Sequence, residues 1–301
     1  MIVLITGATG LVGKEIVKQC HSKGISVHYL TTSKSKLSNE DNYKGFYWDP
    51  TQNEIDHKCF KDVTAIINLA GASISKRWTE TYKKEILESR TKTTQLLQHT
   101  IKKHNYKIEQ VVSASAIGIY PTSVTNYYDE SNSAISDSFL GQVVKQWENA
   151  VDGFKTLGCK VAKIRIGLVL AKNGGALPKI VQPIKFGAGA AFGTGTQWQS
   201  WIHVKDLASL FVFVLQNNLE GIYNGVAPNP VTNKALTKVA ARVLNKPLLL
   251  PNIPKFAMQL VLGEMHILLF ESQRVSSQKI EAKGFGFKYI NLKSALEDLL
   301  V

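Results

Sequence analysis

The amino-acid sequence predicts an α/β protein with a doubly wound parallel sheet and a smaller lobe at its C-terminal end. Three observations support this fold class. Short apolar runs alternate with longer helical patterns over residues 1–170, a glycine-rich turn joins the first run to the first helix, and glycine- and proline-rich stretches replace the alternation after Leu170. Regular alternation indicates crossover connections and a parallel sheet covered on both faces.

The first quarter of the chain contains four predicted strands and one predicted helix. The helix covers "LVGKEIVKQCHSKG" (11–24) and is closed by Gly24, since glycine is the residue that most often ends helices. The strands are the short apolar runs "IVLIT" (2–6), "SVHYLTT" (26–32), "GFYWD" (45–49) and "TAIINLAG" (64–71).

The alternation continues to Leu170. A long helix is predicted from Thr79 to His104, a strand at 108–115, a second helix at 137–158 and a strand at 160–170. At the end of the chain, residues 283–300 are predicted to form a short strand and a helix.

These elements suggest two structural units. The sheet domain is predicted at 1–170, with parts of 200–230 returning to it, and the smaller lobe at 171–301. The glycine-rich segments of the lobe suit loops and short helices over the carboxyl edge of the sheet, where ligands of open α/β sheets bind.

Composition indicates an ordinary globular protein. The chain has 301 residues, of which 44% are hydrophobic and 20% charged, and its net charge is +13. The lysines are scattered and often stand beside acids, as in "YKKEILESR" (82–90), and no block of like charge appears. A solvated basic surface that favours anionic small molecules therefore explains the charge better than a nucleic-acid site, and we expect no nucleic-acid partner.

Membrane, disulfide and metal sites are not expected. No apolar stretch approaches the roughly 20 residues that span a bilayer, and the N-terminal apolar run leads straight into the glycine turn, without a cleavage site. We therefore expect a cytoplasmic protein. Cys20, Cys59 and Cys159 are odd in number and far apart, so they form neither a disulfide framework nor a CxxC pair.

The stretch "LITGATGLVG" (4–13) predicts a dinucleotide-binding turn. Gly7, Gly10 and Gly13 stand directly between a strand and a helix. Gly7 permits the tight turn, Gly10 lets the backbone approach a pyrophosphate, and Gly13 lets the helix pack closely on the strand. The helix N-terminus then offers free N–H groups and a partial positive charge to the phosphates.

The end of the second predicted strand indicates which dinucleotide binds. An acidic residue there would bind the ribose 2′-hydroxyl of NAD and repel the 2′-phosphate of NADP. The segment "LTTSKSK" (30–36) has none, and Thr32, Ser33 and Lys34 or Lys36 offer hydrogen bonds and positive charge. NADP(H) is therefore favoured. The alternative is a solvated loop that discriminates poorly and also accepts NAD(H).

Several motifs resemble the extended short-chain dehydrogenase/reductase superfamily. They are "LITGATGLVG", "INLAGASISKRWTETYKKEILESRTKTTQLL", "SASAIGIY", "RIGLVLAKNGGAL", "SWIHVKDLA" and "GFGFKY" before "ALEDLL". Together they are similar to its atypical NAD-dependent epimerase/dehydratase branch with a small C-terminal domain of unknown function, here at about 250–298. The resemblance covers nearly the whole chain and implies a Rossmann fold, bound NADP(H) and a poorly defined activity.

The resemblance assigns cofactor-binding residues at four places, including the glycine turn and the end of the second strand. Ser89 stands where extended relatives commonly have asparagine, and Thr32 stands where they often have arginine. The phosphate loop corresponds to Gly7, Thr9, Gly10, Leu11 and Val12, and the turn against the adenosine to Leu69, Ala70 and Gly71.

The catalytic residues that the resemblance implies are only partly present. The superfamily uses a serine or threonine after the fifth strand and a Tyr-x-x-x-Lys pair, whose lysine orients the nicotinamide ribose and lowers the tyrosine pKa. Ser115 matches the serine, but Leu140 and Val144 occupy the tyrosine and lysine positions. Tyr120 is the candidate for the missing phenol, with Tyr127 and Tyr128 as alternatives.

The substrate side departs from nucleotide-sugar relatives as well. These carry an arginine that pairs with the substrate diphosphate, whereas "QSWIHVKDLA" has Gln199 in that place. A neutral amide cannot replace a bidentate guanidinium, which argues against a nucleotide-diphosphate sugar. His203 and Asp206 are predicted to hold the lobe together. Gln197, Trp198 and Trp201 line either a pocket or the core.

The sequence thus supports two functional hypotheses. The first is an NADP(H)-dependent oxidoreductase or epimerase of an unknown small substrate, which uses Ser115 and an unidentified acid/base. The second is a non-catalytic NADPH-binding regulatory or scaffold protein. Both are compatible with a monomer or a homodimer.

Overall fold

A computed structural model describes residues 1–301. The strands are short, and seven of them reach five residues or more: β1 Ile2–Thr6, β2 Ser26–Thr31, β3 Asn39–Glu40, β4 Tyr43–Asp49, β5 Glu54–Ile55, β6 Val63–Asn68, β7 Gln110–Ala116, β8 Tyr127–Tyr128, β9 Lys160–Ile166, β10 Leu168–Ala171, β11 Gly174–Gly175, β12 Trp198–Gln199, β13 Trp201–His203, β14 Gly221–Gly225, β15 Val231–Thr232 and β16 Arg274–Val275. The α-helices are α1 Leu11–Ser22, α2 Glu80–His104, α3 Phe139–Asp152, α4 Leu177–Lys185, α5 Val204–Gln216, α6 Asn233–Val243, α7 Lys255–Leu262, α8 Ile267–Phe270, α9 Gln278–Glu281 and α10 Leu292–Leu300.

The central sheet has nine strands, of which seven are parallel in the order β4-β2-β1-β6-β7-β9-β14, while the short β3 and β5 pair antiparallel with β4. Numbered along the chain, this is the order 3-2-1-4-5-6 of dinucleotide-binding folds with a seventh strand added beside the sixth. The strand order reverses between β1 and β6, so ligands are expected at the carboxyl ends of these two strands. The predicted doubly wound α/β class is confirmed.

Helices α1 and α5 pack together, as do α2 and α3, so both faces of the sheet are covered. Strands β1, β6 and β7 are buried almost throughout because their apolar residues face helices on either side. The Thr79 hydroxyl caps the N-terminus of α2, and Asn105 ends this helix in the left-handed conformation. The predicted helix from Thr79 to His104 is therefore confirmed.

The strand predicted at 160–170 is broken, and this correction has a steric cause. Gly167 separates β9 from β10, and a Cβ atom there would lie 2.2 Å from the carbonyl oxygen of Ser200. The chain therefore leaves the central sheet after Ile166, and β10 pairs with β13 instead. Ile166, Gly167 and Leu168, at this break, line a cavity described below.

A second hydrophobic core lies in the C-terminal part of the chain. It joins β10 and β13 to helices α4, α6 and α10 through residues such as Leu170, Leu177, Trp201, Leu236 and Leu296. The predicted domain limits, 1–170 and 171–301, stay predictions.

The short strand predicted near the end of the chain does not form, which is a second correction. Residues 283–290 contain no strand, because the backbone N–H groups of Lys288 and Tyr289 donate to the carboxylate of Asp206 at 3.0 and 2.8 Å. The predicted helix that follows is α10. Asp206 thus ties α5 to the C-terminal segment.

Three further observations concern the cysteines, membrane-crossing helices and metal-binding groups. All three cysteines are free and buried. No helix combines the length and the apolar character that crossing a bilayer requires. No group of three or more His, Cys, Asp or Glu side chains is placed to hold a metal ion.

Candidate functional site

The turn between β1 and α1 has the geometry that dinucleotide binding requires. Gly7 has a φ of +73°, which favours glycine. A Cβ atom on Gly13 would lie 2.1 Å from the carbonyl oxygen of Gly7, so this position admits no side chain. Gly10 is the N-cap of α1, and no side chain caps this helix end. Beside the Gly10 Cα the space is open apart from the Gly7 oxygen, so the turn fits a pyrophosphate at the free N–H groups of α1.

The carboxyl ends of β1 and β6 are held together by one hydroxyl group. The Thr6 hydroxyl accepts hydrogen bonds from the backbone N–H groups of Leu69 and Ala70, at 2.9 and 3.0 Å, and donates one to Asn68 at 2.8 Å. Asn68 in turn donates to Ser113 on β7. This buried network fixes the segment that was predicted to lie against the adenosine.

Ser89 and Gly71 meet at the same turn. The Ser89 hydroxyl accepts a hydrogen bond from the backbone of Ala72 at 2.8 Å and donates one to Ile86 at 3.1 Å. A Cβ atom on Gly71 would lie 3.0 Å from the guanidinium carbon of Arg90. Gly71 therefore leaves room for Arg90, a residue that the sequence analysis did not single out.

The segment after β2 contains no acidic residue. The Thr31 hydroxyl accepts from the backbone N–H of Ser33 at 3.2 Å, and the Ser33 hydroxyl lies 2.9 Å from that of Ser35. The Lys34 ammonium lies 5.1 Å from the centre of the Tyr47 ring and forms no ion pair. Thr32 and Lys34 are exposed, so both are accessible to a ligand phosphate.

A cavity of about 210 Å³ lies beside the carboxyl ends of β7 and β9. The side chains of Leu140 and Val144 form part of its wall, next to Ala116 and Gly167. The two residues that the sequence comparison aligned with the Tyr-x-x-x-Lys pair therefore line one cavity, and the alignment itself stays a prediction. Neither can transfer a proton.

Arg90 and Glu271 are the only charged residues that line this cavity. Burial raises the pKa of Glu271 above its ordinary value, and this effect outweighs the opposing influence of Ser138 and Gln273. Glu271 directly follows α8, and its backbone N–H donates to Ile267 at 2.8 Å. A carboxyl group with a raised pKa is suited to exchange protons nearer to neutral pH.

Ser115 and Tyr120 lie in one buried hydrogen-bond network. The Ser115 hydroxyl donates to Glu148 at 2.6 Å, and Arg165 binds the same carboxylate through two hydrogen bonds of 2.8 and 3.0 Å. Arg165 also donates to the Tyr120 hydroxyl at 3.0 Å, which donates to Asn224 at 2.9 Å. The structure thus brings Ser115 and Tyr120 together around Arg165, but neither residue lines the cavity.

The network has a clear electrostatic pattern. Burial alone would raise the pKa of Glu148, but the bonds from Arg165 and Ser115 bring it below its ordinary value. The pKa of Tyr120 is raised, mainly by burial, and its side chain is fully buried. Glu148 is therefore ionised and Tyr120 neutral at pH 7. The catalytic roles of Ser115 and Tyr120 stay predictions.

The residues around Gln199 divide between cavity and core. Trp198 and Gln199 line the cavity, whereas Trp201 is fully buried and donates to Asn229. The Gln197 amide donates to two backbone oxygens of the lobe.

His203 and Asp206 connect α5 to its surroundings. The His203 ring accepts the backbone N–H of Lys205 at 3.1 Å and caps α5, and it stacks on Tyr289 at 3.9 Å. Its other ring nitrogen lies 3.2 Å from the Asp298 carboxylate. Neither His203 nor Asp206 lines the cavity, and both connect the start of α5 to the C-terminal segment. Their predicted role in holding the lobe together stays a prediction.

The family follows from comparison with known proteins. Residues 3–225 match the model of the NAD dependent epimerase/dehydratase family. The chain belongs to this family. Residues 253–299 match a domain of unknown function (DUF1731). The predicted family membership, including the small C-terminal domain, is confirmed.

Relatives and solved structures agree with this family. An epimerase family protein of Staphylococcus aureus is 37% identical over 298 residues, which are 99% of this chain and 98% of the relative. The crystal structure of a human epimerase family protein with NADPH is 29% identical, with a TM-score of 0.83 and 99% of each chain covered. A nucleoside-diphosphate sugar epimerase from Corynebacterium glutamicum is 28% identical, with a TM-score of 0.78, and the match covers all of this chain and 58% of that one.

Proposed function

We propose that this epimerase-family protein binds NADP(H) at the turn of Gly7 and Gly10 and acts as an oxidoreductase or epimerase on a small molecule in the adjoining cavity. The observation that carries the proposal is the uncapped N-terminus of α1 behind an open glycine turn. When bound, the nicotinamide supplies or accepts a hydride. Thr6 and Asn68 hold the two strand ends that frame the site.

Two observations favour NADP(H) over NAD(H). The segment after β2 offers Thr32, Ser33 and Lys34 and no carboxylate, and the human relative with 29% identity was crystallised with NADPH. A 2′-phosphate gains from the positive charge of Lys34, whereas a ribose 2′-hydroxyl lacks the acidic partner that NAD enzymes provide. NAD(H) is the second candidate.

The cavity favours a small substrate. Its volume of about 210 Å³ lies below the roughly 300–1,000 Å³ of common ligand sites. Gln199 lines it in place of the arginine that pairs with a diphosphate. A nucleotide-diphosphate sugar therefore lacks both the room and the arginine at position 199 that pairs with its diphosphate.

Glu271 is our candidate for the acid/base group. It is the only carboxyl group that lines the cavity, and burial raises its pKa. A protonated Glu271 donates a proton to a substrate oxygen, and the ionised form accepts one, which is the role that Leu140 cannot fill. Well-placed general acid/base groups accelerate reactions by roughly 10²- to 10⁴-fold.

The apolar walls formed by Leu140 and Val144 favour a second candidate function. In this alternative, the protein holds NADPH without turnover and acts as a regulatory or scaffold protein. It differs from the first candidate in one measurable property, because NADPH binds but is not consumed.

The test begins with protein purified without added cofactor, whose released nucleotides are identified by mass spectrometry. NADPH oxidation is then followed with a panel of small aldehydes and ketones for the wild type, Glu271→Gln and the exposed control Glu220→Gln. We expect Glu271→Gln to lose at least about tenfold in rate and the control to keep it. Equal rates for all three would refute the role of Glu271. NADPH binding without oxidation of any compound would favour the second function, and no dinucleotide binding would refute both.

A further inference from the structure

Arg90 is a partly buried cation with no acidic partner. Its guanidinium donates to the backbone oxygens of Ile86 and Ala72, at 2.7 and 3.2 Å, and its carbon lies 5.2 Å from the centre of the Trp147 ring. Burial lowers the pKa of Arg90 to about 10, so the group remains charged at neutral pH. Glu148, which follows Trp147 in the chain, is already bound by Arg165.

Such a cation is costly unless something else offsets its burial. A guanidinium has five N–H donors, and protein oxygens accept from only two nitrogens of Arg90. Because Arg90 also lines the cavity, its remaining donors are available to an oxygen atom there. Gly71 leaves the space in which the guanidinium lies, since a Cβ atom at this position would be 3.0 Å from it.

Arg90 connects the turn after β6 with the cavity. It is anchored to Ala72, in the turn that follows β6 at the point where the strand order reverses. Val144, which stands where the superfamily has its lysine, lines the same cavity. Arg90 and Glu271 form no ion pair although both line this cavity, so Arg90 does not serve as a counter-ion for Glu271.

We propose that Arg90 binds oxygen atoms in the nicotinamide mononucleotide half of the bound dinucleotide and replaces the lysine that is missing at Val144. In this proposal, α2 supplies the cation that the superfamily carries on the helix corresponding to α3. The inference rests on the proposed function, because it requires that a dinucleotide binds at the turn of Gly7 and Gly10.

The experiment compares two ligands that differ only in this half. NADPH and adenosine 2′,5′-bisphosphate are titrated calorimetrically into the wild type, Arg90→Met, Arg90→Lys and the control Lys92→Met, which alters an exposed lysine of the same helix. We expect Arg90→Met to weaken NADPH binding by about 10- to 100-fold, as for the loss of hydrogen bonds from a charged group. Binding of the bisphosphate should change less than about twofold, and the control should change neither ligand.

A second substitution tests the replacement directly. Adding Val144→Lys to Arg90→Met should restore part of the lost NADPH affinity and leave the bisphosphate affinity unchanged. If Arg90→Met does not fold, the ratio of the NADPH affinity to the bisphosphate affinity is measured with Arg90→Lys. We expect this ratio to be lower than in the wild type. An affinity ratio equal to that of the wild type in the folded Arg90 variants would refute the role of Arg90. A wild type that binds neither ligand would instead refute the proposed function.

Discussion

The Ser115 hydroxyl donates a 2.6 Å hydrogen bond to one oxygen of the Glu148 carboxylate, and Arg165 donates to that same oxygen and to the second oxygen as well. Both Ser115 and Glu148 are at most 6% exposed. The hydroxyl therefore satisfies a buried charge at the end of β7, whatever else it does. Hydrogen bonds to charged groups contribute more to stability than those between neutral groups.

Ser115→Ala should accordingly lower the free energy of unfolding by roughly 1.5–3 kcal/mol. Glu148→Gln should cost more, about 3–5 kcal/mol, because it leaves the buried Arg165 without its counter-ion. The control is Ser22→Ala, whose exposed hydroxyl bonds only to a backbone oxygen of α1. Urea unfolding measures all three. If Ser115→Ala kept full stability but lost NADPH oxidation, the hydroxyl would serve the reaction and not the network.

The glycines of the turn should separate folding from binding. Gly13→Ala places a Cβ atom 2.1 Å from a backbone oxygen that cannot move freely, so we expect a loss of about 3 kcal/mol or more, or no folding. Gly10→Val should fold, because Gly10 has an extended backbone that any residue adopts and a Cβ atom there meets only the Gly7 oxygen, at 3.2 Å. Its side chain then occupies the space of the pyrophosphate, and dinucleotide binding is lost. Calorimetry of a folded Gly10→Val variant with wild-type affinity would contradict the assignment of this turn.

The parts of the fold and site that could be predicted from the sequence depend on local patterns. The spacing of Gly7, Gly10 and Gly13 predicts the turn because it lies within one strand-turn-helix unit. The orientation of Leu140 and Val144 towards a common cavity follows from helical periodicity, since residues four apart share a face.

Long-range contacts explain what could not be predicted. Arg90 and Glu271 line one cavity although they lie 181 positions apart in the chain, and no local pattern pairs them. The partner of Ser115 is Glu148 on the following helix, and the break at Gly167 depends on the distant Ser200. Tertiary packing decides each of these features.

Cofactor choice should depend on Lys34. NADPH should raise the melting temperature more than NADH at equal concentration, and a ligand at 100 times its dissociation constant adds about 2.7 kcal/mol. This corresponds to several degrees, at roughly 2–4 °C per kcal/mol for somewhat smaller domains. Lys34→Glu should reduce or reverse the preference, and added salt should weaken it in the wild type.

The matched control is Lys23→Glu, which makes the same charge change at an exposed position after α1. Thermal-shift series with both dinucleotides measure the effect. Equal shifts for NADPH and NADH in the wild type would mean that the arginine missing at Thr32 matters more than the lysines nearby.

Stability should fall in mild acid because of His203. Burial lowers the pKa of this histidine to about 4, with smaller contributions in the same direction from the positive charges of Lys205 and Lys288, and it outweighs the opposing effect of Asp298. In the unfolded chain the histidine pKa is about 6.5. Between pH 4 and 6.5, His203 binds a proton in the unfolded state but not in the folded state. Its contribution to the free energy of unfolding is therefore fully present above pH 6.5 and is lost as the pH falls towards 4. The loss is of the order of 3 kcal/mol, since one pKa unit corresponds to about 1.36 kcal/mol.

Asp298 titrates in a separate range. Its pKa is lowered to about 2 by the Tyr289 hydroxyl, Lys205 and His203, against the effect of burial, so its contribution is lost only below about pH 4. His203→Asn removes the titrating ring but keeps a side-chain oxygen, which can accept the hydrogen bond that the backbone N–H of Lys205 donates to His203. We expect this variant to be less stable at pH 7 and to show a shallower fall in unfolding free energy between pH 7 and 4.5. Urea unfolding across this range measures the slope, and equal slopes for variant and wild type would show that His203 takes up its proton without unfolding.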